Sequence, residues 1–183
     1  FYNPIRDFKE IIKRPHRYYN KTRNFFFYKN HSKHIDVKNT NYVVFFLHYQ
    51  PETTTLPEGF EFVDQFYAIH LLSRVLPKGY KLVVKEHPSM FTYQSEHKFR
   101  NVFNYSSLLQ LKNVEFCSID QNSFELVDHS LAVATITGTV AVEGYIRKKP
   151  VIIFGKNNLK LKSVHTFVNI KELKSFIELI TKE

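Results

Sequence analysis

A strand-helix-strand pattern in the last third of the chain constrains its fold more than any other feature. Residues 131–135 form one apolar run and residues 150–155 form a second. Between them, Thr137-Gly138-Thr139 is a turn signal, and the residues that follow it suit a short helix. This succession predicts one βαβ unit. Because such crossovers join parallel strands, we expect a parallel sheet covered by helices on both faces.

The turn between the first strand and the helix is a candidate anion site. Hydroxyls and first-turn amides at Thr137, Gly138 and Thr139 have no intrahelical partner, and such groups bind phosphates. Glu143 follows Thr139 by one helical turn on the same face. A carboxylate beside a phosphate site suits a pair of sugar hydroxyls, as in dinucleotide-binding folds. The alternatives are helix capping for the two threonines and a solvent-exposed charge for Glu143.

The rest of the chain repeats the same alternation. Residues 42–47, 80–86 and 114–119 are apolar runs, and helical patterns follow at residues 64–76 and 123–128 and again at 170–182. The pattern predicts a Rossmann-like, doubly wound α/β sheet of about five to six parallel strands, with order 3-2-1-4-5 for the five clear strands. Residues 164–169 are a weak strand or a loop. In that order, the loops after strands 1, 2 and 4 meet at one crevice, where such sheets bind ligands.

Two of these loops carry further candidate site residues. His87 ends the second strand, just before Pro88, and its ring is a suitable hydrogen-bond donor to a phosphate. Lys85 precedes it by two residues and is a weaker candidate for the same ligand. Pro88 is also included in this candidate site, with the setting of the turn as the alternative. Because side chains alternate along a strand, Lys85 or Glu86 is expected to point toward helices or solvent.

The loop after the first strand is the one expected to face a second substrate. It carries His48, Gln50 and Glu52. The alternatives are a solvated loop for Gln50 and Glu52, and a buried, hydrogen-bonded ring for His48. The other histidines lack the spacing of metal ligands, so neither a metal nor a cofactor is expected.

Composition limits the class of protein. The 183 residues suffice for one well-buried domain, and 43% hydrophobic and 16% aromatic residues argue against disorder. The single cysteine, Cys117, excludes a disulfide scaffold and favours a reducing, cytoplasmic location. No run of eighteen apolar residues and no secretory signal pattern is present. Because the first residue is Phe1, the sequence is expected to be a piece of a longer protein.

The positive charge is concentrated at the start of the chain. Residues 1–40 contain ten Lys or Arg and three acidic residues, a net charge of +7, whereas the remainder has a net charge of only +2. Residues 1–40 are therefore predicted to be a basic, aromatic helical segment and linker, with a helix over residues 7–14 that Pro15 ends. Contact with anionic lipid is an alternative function of this segment. The nearly neutral remainder argues against nucleic acid as a partner.

Several of these pieces together resemble a known family. The bacterial capsule polysaccharide biosynthesis proteins, a group that includes the 3-deoxy-manno-octulosonic acid (Kdo) transferases, are similar in residues 48–54, 85–88, 137–143 and 149–155. These segments read His-Tyr-Gln-Pro-Glu-Thr-Thr, Lys-Glu-His-Pro, Thr-Gly-Thr-Val-Ala-Val-Glu and Lys-Pro-Val-Ile-Ile-Phe-Gly. The resemblance covers roughly residues 41–180.

The resemblance implies a function. Such proteins look like two-domain glycosyltransferases of the GT-B fold, and residues 41–183 look like the C-terminal, nucleotide-sugar-binding half. It implies that His87 and residues 137–139 hold the donor phosphate and that Glu143 holds the ribose. The implied donor is a CMP-activated acidic sugar such as CMP-Kdo, used without metal, and the acceptor is a glycan or glycolipid. His87 and Glu52 are the expected catalytic residues, with an upstream half expected to carry the acceptor site and the base.

Two other functions remain open at this point. The same scaffold occurs in UDP-sugar transferases and epimerase-like domains, and a shared fold does not separate them. A non-catalytic module that binds anionic lipid or nucleic acid through residues 1–40 is the other alternative, with peripheral attachment at the inner face of the membrane.

Overall fold

The fold is a parallel α/β sheet. The computed structural model describes residues 12, 15–50, 60–91, 100–137, 139–156, 164–167 and 169–182. Within these ranges seven strands form one parallel sheet in the order β1-β4-β3-β2-β5-β6-β7. The strands are β1 (Ser32–Lys33), β2 (Tyr42–Phe46), β3 (Lys81–Lys85), β4 (Val114–Cys117), β5 (Ala132–Thr135), β6 (Val151–Ile153) and β7 (Val164–Thr166).

Helices alternate with these strands along the described ranges. They are α1 (Pro15–His31), α2 (Gln65–Val75), α3 (Val102–Leu109), α4 (Ser123–His129), α5 (Val140–Ile146) and α6 (Ile170–Ile180), and two short 3-10 helices cover Phe60–Val63 and Pro88–Phe91. The part of the chain that the structure describes contains no helix with the length and hydropathy needed to cross a membrane.

The predicted Rossmann-like sheet is confirmed. Strands β2 to β6 follow the expected order 3-2-1-4-5, with the reversal between β2 and β5. The sequence did not predict β1, which has only two residues and pairs with the edge of β4. The weak strand at residues 164–169 is real but shorter, and it forms the opposite edge as β7.

Helices cover both faces of the sheet, because alternate residues of each strand face opposite layers. Val43 and Phe45 of β2 pack in one core with residues of α1, α2, α3 and α6. Tyr42 and Val44 pack in a second core with residues of α4. Ala141 of α5 packs against β6 in a third cluster. Burial on both faces explains why the strand sequences are continuous apolar runs.

Residues 15–40 are packed onto the sheet. The Tyr28 hydroxyl, fully buried in α1, donates to the Cys117 carbonyl at 2.7 Å and accepts from the Glu86 amide at 3.0 Å. Ile35 and Val37 are buried in the second core. The structure thus joins this segment to the sheet, whereas the sequence indicated a linker.

The predicted helix over residues 7–14 lies outside the described residues, apart from residue 12. Pro15 is the first residue of α1, and its expected role at the end of a preceding helix stays a prediction. Proline suits this position, because a first-turn amide has no intrahelical partner to lose and the fixed φ of proline is already helical.

Candidate functional site

A cleft lies at the carboxyl ends of β2, β3 and β5, where the strand order reverses. Its volume is about 650 Å³, within the range of small-molecule sites. All three predicted loops reach it, and so does α5. The predicted site residues that line the cleft are His48, Lys85, His87, Pro88, Thr137, Thr139 and Glu143. Gly138 and Glu52 lie outside the described residues, and the roles predicted for both stay predictions.

His87 is exposed at the end of β3 and its ring is oriented by its own turn. The amide of Ser89 donates to His87 Nδ1 at 3.2 Å. A neutral ring that accepts at Nδ1 carries its proton on Nε2, so Nε2 is a hydrogen-bond donor. The Tyr49 ring is 6.1 Å from the His87 ring, centroid to centroid. This geometry leaves His87 with the donor that a phosphate oxygen requires.

A buried ion pair holds the main chain at His87. Glu86 Oε1 accepts the His87 amide at 2.8 Å, and Glu86 Oε2 accepts from Arg100 Nε at 2.8 Å and from the Tyr105 hydroxyl at 2.7 Å. The Arg100 and Glu86 side chains are 3% and 0% exposed. Sequence reasoning missed this pair. The signal was Glu86 itself, because a carboxylate next to a buried strand needs a cationic partner.

Arg100 also fixes the loop on the other side of the cleft. Its Nη1 donates to Gln50 Oε1 at 2.6 Å, and its Nη2 donates to the His48 carbonyl at 3.0 Å. Gln50 is 1% exposed, and its Nε2 donates to the Val63 carbonyl at 3.0 Å. Both polar atoms of the Gln50 side chain are thus engaged inside the protein. The predicted contact of Gln50 with an acceptor has no support in this geometry.

His48 connects the loop after β2 to the loop after β5. Its Nε2 lies 2.7 Å from Thr135 Oγ1 and accepts from the Thr137 amide at 3.4 Å. Burial, then the nearby charges of Arg100 and His87, lower the pKa of His48 from 6.5 to about 4. A neutral ring that accepts at Nε2 fits this environment. His48 therefore has a structural role, and its contact with an acceptor stays a prediction.

Lys85 is buried, and its ammonium group is fully engaged. Lys85 Nζ donates to the carbonyls of Ser118, Ile119 and Gln121, the second of these at 3.0 Å. An ammonium group has three donors, and the three carbonyls use them all. One residue of the pair Lys85 and Glu86 was expected to point toward helices or solvent. Both are buried, and Glu86 points toward the helices, where it accepts from Tyr105 of α3. A role of Lys85 as a donor ligand finds no support in these contacts.

Glu143 presents a carboxylate whose hydrogen-bonding capacity is not used up. Within the described ranges, its Oε1 is buried without a hydrogen-bond partner. Arg147 Nε lies 3.6 Å from that oxygen, and Arg147 Nη1 binds both carboxylate oxygens of Asp128 at 2.5 and 2.6 Å. Burial raises the pKa of Glu143, against the opposing charge of Arg147. The side chain as a whole is 29% exposed and lines the cleft, so a substrate hydroxyl can reach the carboxylate from there.

Close packing sets the position of α5, which carries Glu143. A Cβ atom added to Gly144 would lie 3.0 Å from Val151 Cγ2 and 3.3 Å from Val133 Cβ. Only glycine allows α5 to approach β5 and β6 this closely. At the start of the helix, the Thr139 side chain makes no capping hydrogen bond, so capping does not account for it.

The fold and the cleft define a class of protein. A doubly wound parallel sheet with a ligand-sized cleft at its switch point is a Rossmann-like domain, here of the GT-B type. The family follows from the sequence. The chain belongs to the capsule polysaccharide biosynthesis protein family, whose model matches residues 2–164. No curated protein matches the chain.

Solved structures share the fold at low sequence identity. The chain is similar to the Thermosulfurimonas dismutans KpsC beta Kdo 2,4 transferase, with a TM-score of 0.53 and 15% identity over 91% of this chain and 54% of that one. It is also similar to the UDP-GlcNAc 2-epimerase of Methanocaldococcus jannaschii, with a TM-score of 0.56 and 15% identity over 87% of this chain and 43% of that one. The chain thus spans about half the length of these proteins.

Proposed function

We propose that this chain is the donor-binding half of a glycosyltransferase of capsular or surface polysaccharide synthesis. The donor is a CMP-activated acidic sugar such as CMP-Kdo, and the acceptor is a glycan or glycolipid. The observation that carries the proposal is that His87 and Glu143, from distant parts of the sequence, line the same cleft. A cytoplasmic location at the inner face of the membrane belongs to the same proposal.

In this proposal, His87 stabilises the phosphate that leaves during sugar transfer. Its Nε2 proton is free of the hydrogen bond that engages Nδ1, so it can be donated to a phosphate oxygen. Charge develops on the leaving phosphate in the transition state, and a donor already aimed at it lowers the barrier. The hydroxyls of Thr137 and Thr139, on the facing loop of the cleft, supply further hydrogen bonds to the same group.

Glu143 receives the ribose. Its side chain lines the cleft and is 29% exposed, so a ribose hydroxyl can donate to the carboxylate from the cleft. Arg147 lies beside the carboxylate and is itself held by Asp128 of α4. A carboxylate is a suitable acceptor for the ribose hydroxyls.

The sugar and the acceptor complete the proposal. The remaining part of the cleft is assigned to the acceptor, and Glu52 is proposed as the second catalytic residue together with His87. Transfer to an acceptor hydroxyl needs a base that accepts its proton. Activity of the whole enzyme is assigned to this chain together with an acceptor-binding half.

Isothermal titration of the chain with CMP, UDP and ADP tests the proposal. We expect CMP to bind most tightly, and His87→Ala and Glu143→Ala each to weaken CMP binding by about tenfold or more, the cost of a lost charge-assisted hydrogen bond. Matched controls are His129→Ala and Glu178→Ala, which alter an exposed histidine and an exposed glutamate on α4 and α6.

Two results would remove parts of the proposal. Tighter binding of UDP than of CMP would favour the alternative that the chain binds a UDP-sugar. A UDP-GlcNAc 2-epimerase shares the fold of this chain. Equal losses in the cleft variants and in the control variants would show that the cleft does not hold the nucleotide.

A further inference from the structure

We propose that the outer face of α1 and α3 docks the protein on a membrane surface that contains anionic phospholipid. This lipid-facing patch consists of Tyr19, Arg23 and Phe26 of α1 and Phe103 of α3. The inference deepens the proposed location at a membrane and rests on it. It does not depend on the identity of the nucleotide in the cleft.

Helical geometry places the α1 residues of the patch on one stripe. Residues 19, 23, 26 and 30 recur at the spacing of one helix face. The opposite face of α1 carries its buried residues, Lys21, Asn24 and Tyr28. The stripe therefore faces away from the sheet. Large aromatic residues lie on this outer face, where a surface helix usually carries polar residues.

The aromatic residues of the patch are exposed although they are large and apolar. Phe103 is 79% exposed, Tyr19 is 64% exposed and Phe26 is 52% exposed. Arg23 and Phe103 also line an open groove of about 610 Å³ between α1 and α3. Exposed aromatic clusters of this kind mark interaction surfaces, and aromatic rings favour the headgroup level of a bilayer.

The charge of the patch selects an anionic partner. Neither α1 nor α3 contains a single Asp or Glu, and the patch itself carries the basic residue Arg23. An arginine among exposed aromatic rings, without a carboxylate on either helix, is complementary to the negative headgroups of phospholipids. Each basic residue near such a surface strengthens binding by about fivefold.

The patch lies on the helix that packs against the cleft wall. The ring of Phe91, in the turn that follows His87, lies 5.4 Å from the Phe25 ring and 5.7 Å from the Tyr28 ring of α1, centroid to centroid. The helix that carries the patch is thus in contact with the turn that follows His87.

Vesicle co-sedimentation of the 183-residue chain tests this proposal. The vesicles contain phosphatidylcholine alone or with about 30% phosphatidylglycerol. We expect binding to the anionic vesicles only, with a loss at about 0.5 M salt. Arg23→Glu and Phe103→Ser are each expected to weaken binding by about tenfold.

The matched control is Phe124→Ser on the other side of the sheet. Phe124 is 54% exposed and also stacks with an arginine, Arg147, at 4.7 Å, but Asp128 neutralises that arginine. We expect this variant to bind anionic vesicles as the unaltered chain does. Equal loss in Phe124→Ser and Phe103→Ser would overturn the proposal, and so would equal binding to both kinds of vesicle or to neither.

Two parallel measurements distinguish lipid docking from a damaged cleft and from a dimer interface. CMP titration of the patch variants is expected to match the unaltered chain, so failure of the donor site and failure of the patch give different results. Light scattering after gel filtration is expected to show the same mass for Phe103→Ser and the unaltered chain. A dimer that Phe103→Ser converts to monomer would assign the patch to a second copy of the chain and overturn lipid docking.

Discussion

Arg100 Nε lies 2.8 Å from Glu86 Oε2 in the interior of the protein. This pair connects the loop after β2 to the loop after β3 at the cleft. Glu86 holds the amide of His87, while Arg100 holds the carbonyl of His48. The ion pair therefore sets the distance between the two sides of the candidate site. Its energetic value is distinct from this role, because a buried pair must first offset the loss of hydration of both charges.

Removal of one partner of this pair is expected to be costly. Arg100→Met leaves the Glu86 carboxylate buried and without its cation, so we expect the free energy of unfolding to fall by about 3 to 5 kcal/mol. Urea unfolding followed by circular dichroism measures this. The control is Lys174→Met, since Lys174 and Glu178 form an exposed pair at 3.8 Å, and a loss below about 1 kcal/mol is expected. Similar losses in the two variants would contradict the assigned burial of Arg100.

The buried ring of His48 makes stability depend on pH in a known direction. Its pKa is about 4 in the folded protein and 6.5 as the ordinary value, so between these values only the unfolded chain binds the proton. The stabilising contribution is complete above pH 6.5 and is lost as the pH falls toward 4. The loss is at most about 3 kcal/mol. Unfolding free energies measured by urea titration across this range test the slope.

A conservative variant isolates the His48 contribution. His48→Gln keeps an acceptor for the Thr137 amide but does not titrate, so the part of the slope between pH 6.5 and 4 that belongs to His48 is expected to disappear. His129→Gln, which removes an exposed histidine at the end of α4, is the matched control. An unaltered slope in His48→Gln would mean that His48 is not the titrating group.

Gly144 is expected to be intolerant of a methyl group although it lies in a helix. Glycine to alanine in a helix interior usually stabilises by up to about 1 kcal/mol. Here the added Cβ would meet the stiff side chains of Val151 and Val133 at 3.0 to 3.3 Å, and overpacking costs about 1 to 3 kcal/mol. We therefore expect Gly144→Ala to destabilise the protein by about 1 kcal/mol. Thermal unfolding measures the sign, and a stabilised Gly144→Ala would contradict the close packing of α5.

Because the pKa of Glu143 is raised, the proposed ribose contact is expected to make nucleotide binding depend on pH. Protonation removes the carboxylate as a double acceptor, and it begins at a higher pH than for an ordinary glutamate. We expect the preference for CMP over 2′-deoxy-CMP to decrease as the pH falls toward the pKa of Glu143. For Glu143→Gln, we expect only a small preference for CMP over 2′-deoxy-CMP, and we expect this preference to be the same at every pH. Titration calorimetry with both nucleotides measures this, and an equal preference in the variant and the unaltered chain would place the ribose elsewhere.

The local sequence pattern was sufficient to predict the parallel sheet and the cleft at which three of its loops meet. Continuous apolar runs, turn residues and the rule for parallel crossovers determine the strand order, and the switch point follows from that order. The strand β1 was not predictable in this way, because two residues carry no periodicity. Its position depends on α1, whose anchor is a tyrosine hydroxyl bonded to main-chain groups of two strands.

The internal contacts of the site were harder to predict. Lys85, Glu86, Gln50 and Arg100 are polar residues that a local pattern places on a surface, yet all four are buried. Each is satisfied by partners from distant loops, and such pairing depends on tertiary contacts that periodicity does not contain. The sequence therefore predicted the residues that line the cleft better than it predicted the buried residues that hold them in place through hydrogen bonds.

A crystal structure of the chain with CMP tests the central claim most directly. We expect a phosphate oxygen within hydrogen-bond distance of His87 Nε2 and the ribose hydroxyls on the Glu143 carboxylate of the same bound nucleotide. A nucleotide that occupies the cleft and contacts only one of these two side chains, or that binds outside the cleft, would contradict it.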